Sequence, residues 1–246
     1  MIYQLLEFQK TVMAPTVLLA DTLKHLFASP FSPLAYSPVS RAIAANSEVF
    51  VRLMRRYPKP QWRIDDTLID GERIEVTREV AVDKPFCQLL HFRKGIALRQ
   101  PKLLIVAPLS GHFATLLRDT VRTALPDHDV WVTDWVDARM VPLSKGLFHL
   151  DDYVDYVREF IGHLSPDLNV MSVCQPTVPV LAAVSLMAAE NDPAAPKTMI
   201  MMGGPIDTRR NPTAVNAFAS GHSHSWFADK AIMRVPPNYP GFMRKV

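Results

Sequence analysis

The sequence predicts an α/β fold on a mostly parallel, doubly wound sheet, and three observations predict it. Strand-like and helix-like stretches alternate from Arg73 to Met202. Residues 102–108, Lys-Leu-Leu-Ile-Val-Ala-Pro, form a continuous apolar run, as expected of a strand covered on both faces. Ser172-Val173-Cys174-Gln175-Pro176 lies between the apolar runs 168–171 and 177–183, so one reactive-type side chain falls where a strand turns into a helix.

The front of the chain reads as helical. Residues 1–27 carry apolar positions at Leu5, Phe8, Val12, Val17, Leu18, Leu23 and Leu26, with a break or kink expected at Pro15. Ser29-Pro30-Phe31-Ser32-Pro33 is a turn-rich joint. Pro38 suits the start of a second helix reaching about Tyr57, which Pro58 and Pro60 end. Residues 1–60 are therefore expected as an N-terminal helical region packed on a main domain, 61–246. A surface that binds something apolar is the alternative for this region.

In the main domain, 73–82 alternates like a half-exposed strand, and 86–92 is a second strand candidate holding Cys87, read as core. A helix over about 113–125 follows the run at 102–108, then a strand over 129–134. A helix over 150–164 starts well, because Asp151 and Asp152 sit at its positive end. The strand before Cys174, a helix to about Ala188 and a Met-rich strand over 198–202 complete the series. The methionines of that last strand are expected to be buried packing.

Composition narrows the function classes. The chain has 246 residues, 48% of them hydrophobic, enough for one sizeable core. Its net charge is +3 and the basic residues are scattered, which suits a solvated surface better than a nucleic-acid footprint. Two cysteines make no disulfide framework and lack zinc-site spacing, so no metal or other cofactor is expected. Glu7 and Pro15 interrupt any secretory leader. Residues 168–189 are free of charge, but Asn169, Gln175, Pro176 and Pro179 fit a buried strand and helix rather than a membrane span. A soluble cytoplasmic protein is expected.

Strand–sharp turn–helix around Cys174 is the layout of a nucleophile elbow. The turn lifts the side chain to the top of the sheet, and the positive end of the following helix favours negative charge on an attacked carbonyl. Ser172 and Pro176 stand where glycines are common; Ser is small enough for the turn, and Pro fits a first helical turn. A cysteine between apolar segments is also consistent with simple packing. Context favours reactivity, because Ser110-Gly111-His112, Trp135-Val136-Asp137, Cys174-Gln175 and 203–207 all fall at the C-terminal strand ends, where such sheets bind ligands.

Several segments match one family. Residues 108–118 (Pro-Leu-Ser-Gly-His-Phe-Ala-Thr-Leu-Leu-Arg), Thr133-Asp134-Trp135, Ser172-Val173-Cys174-Gln175-Pro176 and 202–209 (Met-Gly-Gly-Pro-Ile-Asp-Thr-Arg) together resemble intracellular polyhydroxyalkanoate (polyhydroxybutyrate) depolymerases. Met1-Ile2-Tyr3-Gln4 and Tyr239-Pro240-Gly241-Phe242-Met243 look like that family too. Asp134-Trp135 and the elbow cysteine are also similar to polyhydroxyalkanoate synthases, but synthases prefer glycines at the positions of Ser172 and Pro176.

The resemblance implies an α/β-hydrolase-like sheet and a carboxylic ester hydrolase with Cys174 at the nucleophile position. It implies polyhydroxyalkanoate granules or 3-hydroxybutyrate oligomers as partners and a place at the granule surface. It also implies that the triad acid and base, the last strands and a lid lie beyond Val246, so that this chain looks like a front portion. Attack on an ester gives an acyl-thioester that water or another acceptor resolves. The backbone N–H groups of Gln175 and His112 are the expected oxyanion donors. His112 precedes the nucleophile, whereas the base of such a triad follows it. His222 and His224 read as a solvated loop, and Asp207 as a helix-capping or loop-ordering residue. Trp226, Phe227, Pro236, Pro237, Tyr239 and Phe242 are a candidate apolar lid surface or, equally, exposed residues that want a partner. The alternative function is a non-catalytic granule-binding remnant of such an enzyme.

Overall fold

The structure, a computed structural model, describes residues 2–29, 31, 33–55, 57–109 and 113–245, without the side chains of 2–6, 33 and 34. The chain divides into two compact units, residues 1–58 with 233–236 and 245, and residues 59–232 with 237–244.

The first unit holds α1 (Ile2–Val12), α2 (Ala14–Ala28) and α3 (Pro38–Met54). The break expected at Pro15 falls at Met13, with Pro15 inside the first turn of α2, where its missing N–H costs nothing. Ser37 caps α3, its Oγ accepting the Ser40 N–H at 3.0 Å, and Pro38 opens the helix as read from the sequence. α2 and α3 pack on one another.

The second unit is built on seven strands: β1 (Asp66–Ile69), β2 (Glu72–Asp83), β3 (Cys87–Lys94), β4 (Lys102–Val106), β5 (Asp129–Trp135), β6 (Leu168–Val173) and β7 (Thr198–Met202). They lie in the order β1-β2-β3-β5-β4-β6-β7. β1, β2, β3 and β5 pair antiparallel, whereas β5, β4, β6 and β7 pair parallel. Five strands thus run one way, with β1 and β3 reversed. This is the expected α/β-hydrolase sheet: mostly parallel, entered through an antiparallel β3, with α4 (Arg118–Ala124), α5 (Leu150–Leu164) and α6 (Thr177–Ala189) as connections.

Apolar burial holds the sheet. Leu104, Ile105 and Val106 of β4 are fully buried, as the continuous run 102–108 predicts. α5 presents Tyr153, Val157, Phe160 and Leu164 along one stripe, with Val154 and Ile161 beside it. Each fully buried side chain of this size contributes about 1.5–3 kcal/mol. The His149 N–H donates to Asp152 Oδ2 at 2.6 Å and fixes the start of α5.

Three expectations need correction, and one strand was not foreseen. The helix expected over 113–125 is a 3₁₀ turn over Ala114–Leu117 followed by the shorter α4. β1 has no counterpart in the sequence reading; Asp70-Gly71, at φ 51° and 83°, forms its turn into β2, and an Asp-Gly pair is the signal for such a turn. α7 (Ala214–Ser220) and α8 (His224–Lys230) stand where a loop was expected. β7 is not buried: Ile200, Met201 and Met202 are 43%, 41% and 47% exposed. β7 pairs only with β6, so among the described residues it is an edge strand.

Candidate functional site

Cys174 stands at the corner between β6 and α6, exposed, with φ 68°. That left-handed conformation costs a non-glycine residue about 1–2 kcal/mol and persists only where neighbours hold it. Here the Cys174 N–H donates to Met202 O at 2.7 Å, while the Thr177 N–H and Oγ1 donate to Cys174 O at 3.2 and 2.9 Å. Thr177 in turn abuts Gly204, where an added Cβ would lie 1.7 Å from Thr177 Oγ1, so only glycine lets the β7 loop pass. Beneath the corner, the buried Ser172 donates its hydroxyl to Ile200 O at 3.3 Å. Ser is small enough for the turn, as expected, and is also bonded into the sheet.

The Gln175 backbone N–H has no partner among the described residues and lies next to the sulfur in the chain, as an oxyanion donor must. Its side chain does something the sequence did not reveal. Gln175 Oε1 accepts the Leu109 N–H at 3.1 Å and ties the loop after β4 to the elbow. His112, the other expected donor, lies with Ser110 and Gly111 outside the described residues.

Two more loops at this edge are braced in the same way. Asp137 accepts from Arg139 N at 2.9 Å and from both Nε and Nη2 of the same guanidinium. Burial, which raises the Asp137 carboxyl, is outweighed by these bonds, so its pKa falls below the usual value. Asp207 accepts from Arg209 N at 3.1 Å and Nε at 2.8 Å; the guanidinium bond, then the backbone bond, lower its pKa. Asp207 is thus committed to ordering its own loop. Asp134 is buried at the end of β5, with Oδ2 on Lys59 Nζ at 2.5 Å and Oδ1 without a partner among the described residues. Trp135 donates Nε1–H to Ala107 O at 2.8 Å.

The segment resembling the family's Tyr-Pro-Gly-Phe-Met is pinned across this edge. The Gly241 N–H donates to Arg139 O at 2.7 Å, and the Arg139 guanidinium lies 5.3 Å from the Tyr239 ring centroid. Arg244, counted among the scattered surface cations, is instead buried. Its guanidinium donates to the carbonyls of Val141, Gly146 and Pro142 at 3.0, 2.9 and 2.7 Å and lies over the Phe86 ring. Arg244 is the main contact that sequence reasoning missed; nothing near it in the sequence marks a buried cation.

No imidazole of a described residue hydrogen-bonds Cys174. His91 is on Asp129 and stacked on Trp131, His128 is on Ala124 O, and His25 is near Asp21. His222 donates Nδ1–H to Phe218 O at 2.9 Å and joins Phe218, Trp226 and Phe227 in an aromatic cluster. His224 opens α8. Among the described residues, no group of His, Cys, Asp or Glu is placed to hold a metal, and no helix is long and apolar enough to cross a membrane. A surface groove of about 350 Å³ lined by Lys10, Thr11, Ala14, Val17 and Met54 belongs to the helical unit, not to the Cys174 edge.

Residues 203–246 match the family model described as PHB de-polymerase C-terminus. The match begins at the β7 loop and contains the pinned Tyr239–Arg244 segment. It supports the polyhydroxybutyrate-depolymerase resemblance read from the motifs. No curated protein matches the chain. Among solved structures, the chain is similar to the Francisella virulence factor BioJ, at 14% identity and a TM-score of 0.33, over 73% of this chain and 56% of that one. It is also similar to an esterase/lipase from an uncultured bacterium, at 12% identity and a TM-score of 0.35, over 88% of this chain and 67% of that one. The chain thus spans little more than half the length of BioJ.

Proposed function

We propose, from the PHB depolymerase signature of residues 203–246 and the geometry at Cys174, that this chain contributes to intracellular polyhydroxyalkanoate depolymerisation as a carboxylic ester hydrolase. The single observation that carries the reading is the exposed thiol held at φ 68° on a β-to-α corner. The sulfur attacks the ester carbonyl, forming a C–S bond and an oxyanion that the Gln175 N–H receives, with the His112 N–H as second donor. Collapse breaks the C–O bond and releases a hydroxyl-ended oligomer, which takes up a proton. Water then cleaves the thioester, giving a carboxylate and the free thiol. The aromatic cluster of α7 and α8 offers an apolar surface for polyester, and the reaction belongs at the surface of cytoplasmic granules.

Purified chain incubated with amorphous polyhydroxybutyrate should release 3-hydroxybutyrate oligomers, and Cys174→Ala should lower the rate by about 10⁴-fold or more. Undiminished release by the variant ends the nucleophile assignment. A second reading is favoured by the lack of an imidazole on Cys174 among the described residues: a granule-binding protein without its own catalysis. Co-sedimentation with granules and no product from the parent chain would establish that reading instead.

A further inference from the structure

The helical unit differs from the sheet unit in both its surface and its charge. α2 has no buried residue. Phe8, Leu18 and Leu19 are 67%, 71% and 60% exposed, and Val39, Val49 and Leu53 of α3 are 68%, 56% and 70% exposed. Val49 and Leu53 are one turn apart and share a face, as do Phe8 and Val12. Scattered single apolar residues are ordinary on a surface, but all three helices of this unit expose large apolar side chains.

Charge says what kind of contact. Residues 1–58 hold six cations, Lys10, Lys24, Arg41, Arg52, Arg55 and Arg56, against Glu7, Asp21 and Glu48. That difference equals the whole net charge of +3, so the remaining chain is balanced. Glu48 pairs with Lys24 at 2.9 Å and Arg52 at 2.6 Å, and Asp21 with Lys24 at 3.3 Å. Arg41 and Arg55 are exposed with no acidic partner among the described residues.

We infer that this helical unit docks on a lipid surface carrying anionic headgroups. Exposed Leu, Val and Phe enter the boundary between headgroups and acyl chains, while Arg41 and Arg55 meet the headgroups. Basic helices with exposed aliphatic residues bind such an interface without spanning it. A bare polyester or an uncharged layer would use the apolar residues but leave the excess cations without a function. The inference stands apart from the ester-cleaving reading, because no residue of the Cys174 edge takes part.

The test is sedimentation of the full chain with vesicles of phosphatidylcholine alone or mixed equally with phosphatidylglycerol. The anionic vesicles should bind at least about tenfold more tightly, and added salt should erase the difference. Arg41→Gln with Arg55→Gln should weaken anionic binding about twenty-five-fold, at about fivefold per cation. Leu18→Ser with Leu53→Ser should weaken binding to both vesicle types, with circular dichroism confirming intact helices. Equal binding to both vesicles, or full binding by either variant, overturns the inference. So does tighter binding to lipid-free polyhydroxybutyrate particles, or a dimer in solution that fails to bind vesicles. Loss of ester cleavage in Cys174→Ala with vesicle binding intact separates the two proposals.

Discussion

Cys87 and Cys174 are the same residue on the same sheet, placed at opposite extremes. Cys87 begins β3, paired with Trp135 of β5, and is fully buried. Burial pushes its thiol well above the ordinary range, and the nearby Asp134 carboxylate pushes it further. Cys174 is exposed on a turn that only a braced backbone sustains. The difference teaches that a cysteine becomes a candidate nucleophile through the bend in the chain beneath it: a strand interior hides sulfur, and a left-handed corner presents it.

The largest expected effect tests that contrast directly. Iodoacetamide should modify Cys174 at least about 10³-fold faster than Cys87 in the native protein, because Cys87 reacts only after opening of the sheet. Peptide mapping over time measures both rates. Comparable rates would mean that the corner does not present its sulfur.

Gly204→Val attacks the brace. Its side chain meets Thr177 Oγ1, so the loop or the helix start must move, at a cost of about 1–3 kcal/mol. Denaturant unfolding should show that loss, and Gly204→Ala should show much of it, because the added Cβ alone would lie 2.4 Å from Thr177 Cβ. Gln175→Ala should cost less, about 1 kcal/mol for the lost Leu109 bond. If Gln175 only donates its backbone N–H, ester cleavage by this variant will equal the parent's; a tie that positions the loop predicts a severalfold loss.

Sequence made the sheet legible wherever a continuous or alternating apolar pattern is forced by burial. β4, β5, β6, α5 and α6 fall within a residue or two of expectation, and the Cys174 corner is where the strand-to-helix change puts it. Pattern failed where burial does not set it. β7 has an apolar sequence yet is an edge, because composition records what a strand is suited to cover and not what covers it. Arg244 reads as a surface cation because its three partners are backbone carbonyls about a hundred residues earlier, which carry no side-chain signature. The Gln175 tie escaped notice for the same reason: its partner is the Leu109 main chain.

The smallest effect concerns the loops that flank the thiol. Asp137 is held by Arg139, and burial acting upward loses to those bonds, so its folded pKa lies below the usual 3.8. A carboxyl with a depressed folded value contributes stability that is present above its unfolded value and lost as pH falls through the folded one. The Asp137 clamp should therefore hold in full from neutrality to about pH 4 and weaken progressively below it, loosening the carbonyls of Arg139 and Val141 that receive Gly241 and Arg244. The pair is partly exposed, so the contribution is at most about 1 kcal/mol. Asp137→Asn should lower Tm by a few degrees at pH 7, and the gap from the parent should close as pH falls through the depressed folded value. Melting curves of both proteins across that range measure it. A gap that stays constant with pH would show that the loop is held by its backbone bonds alone, and that the charges beside the corner are incidental to presenting the sulfur.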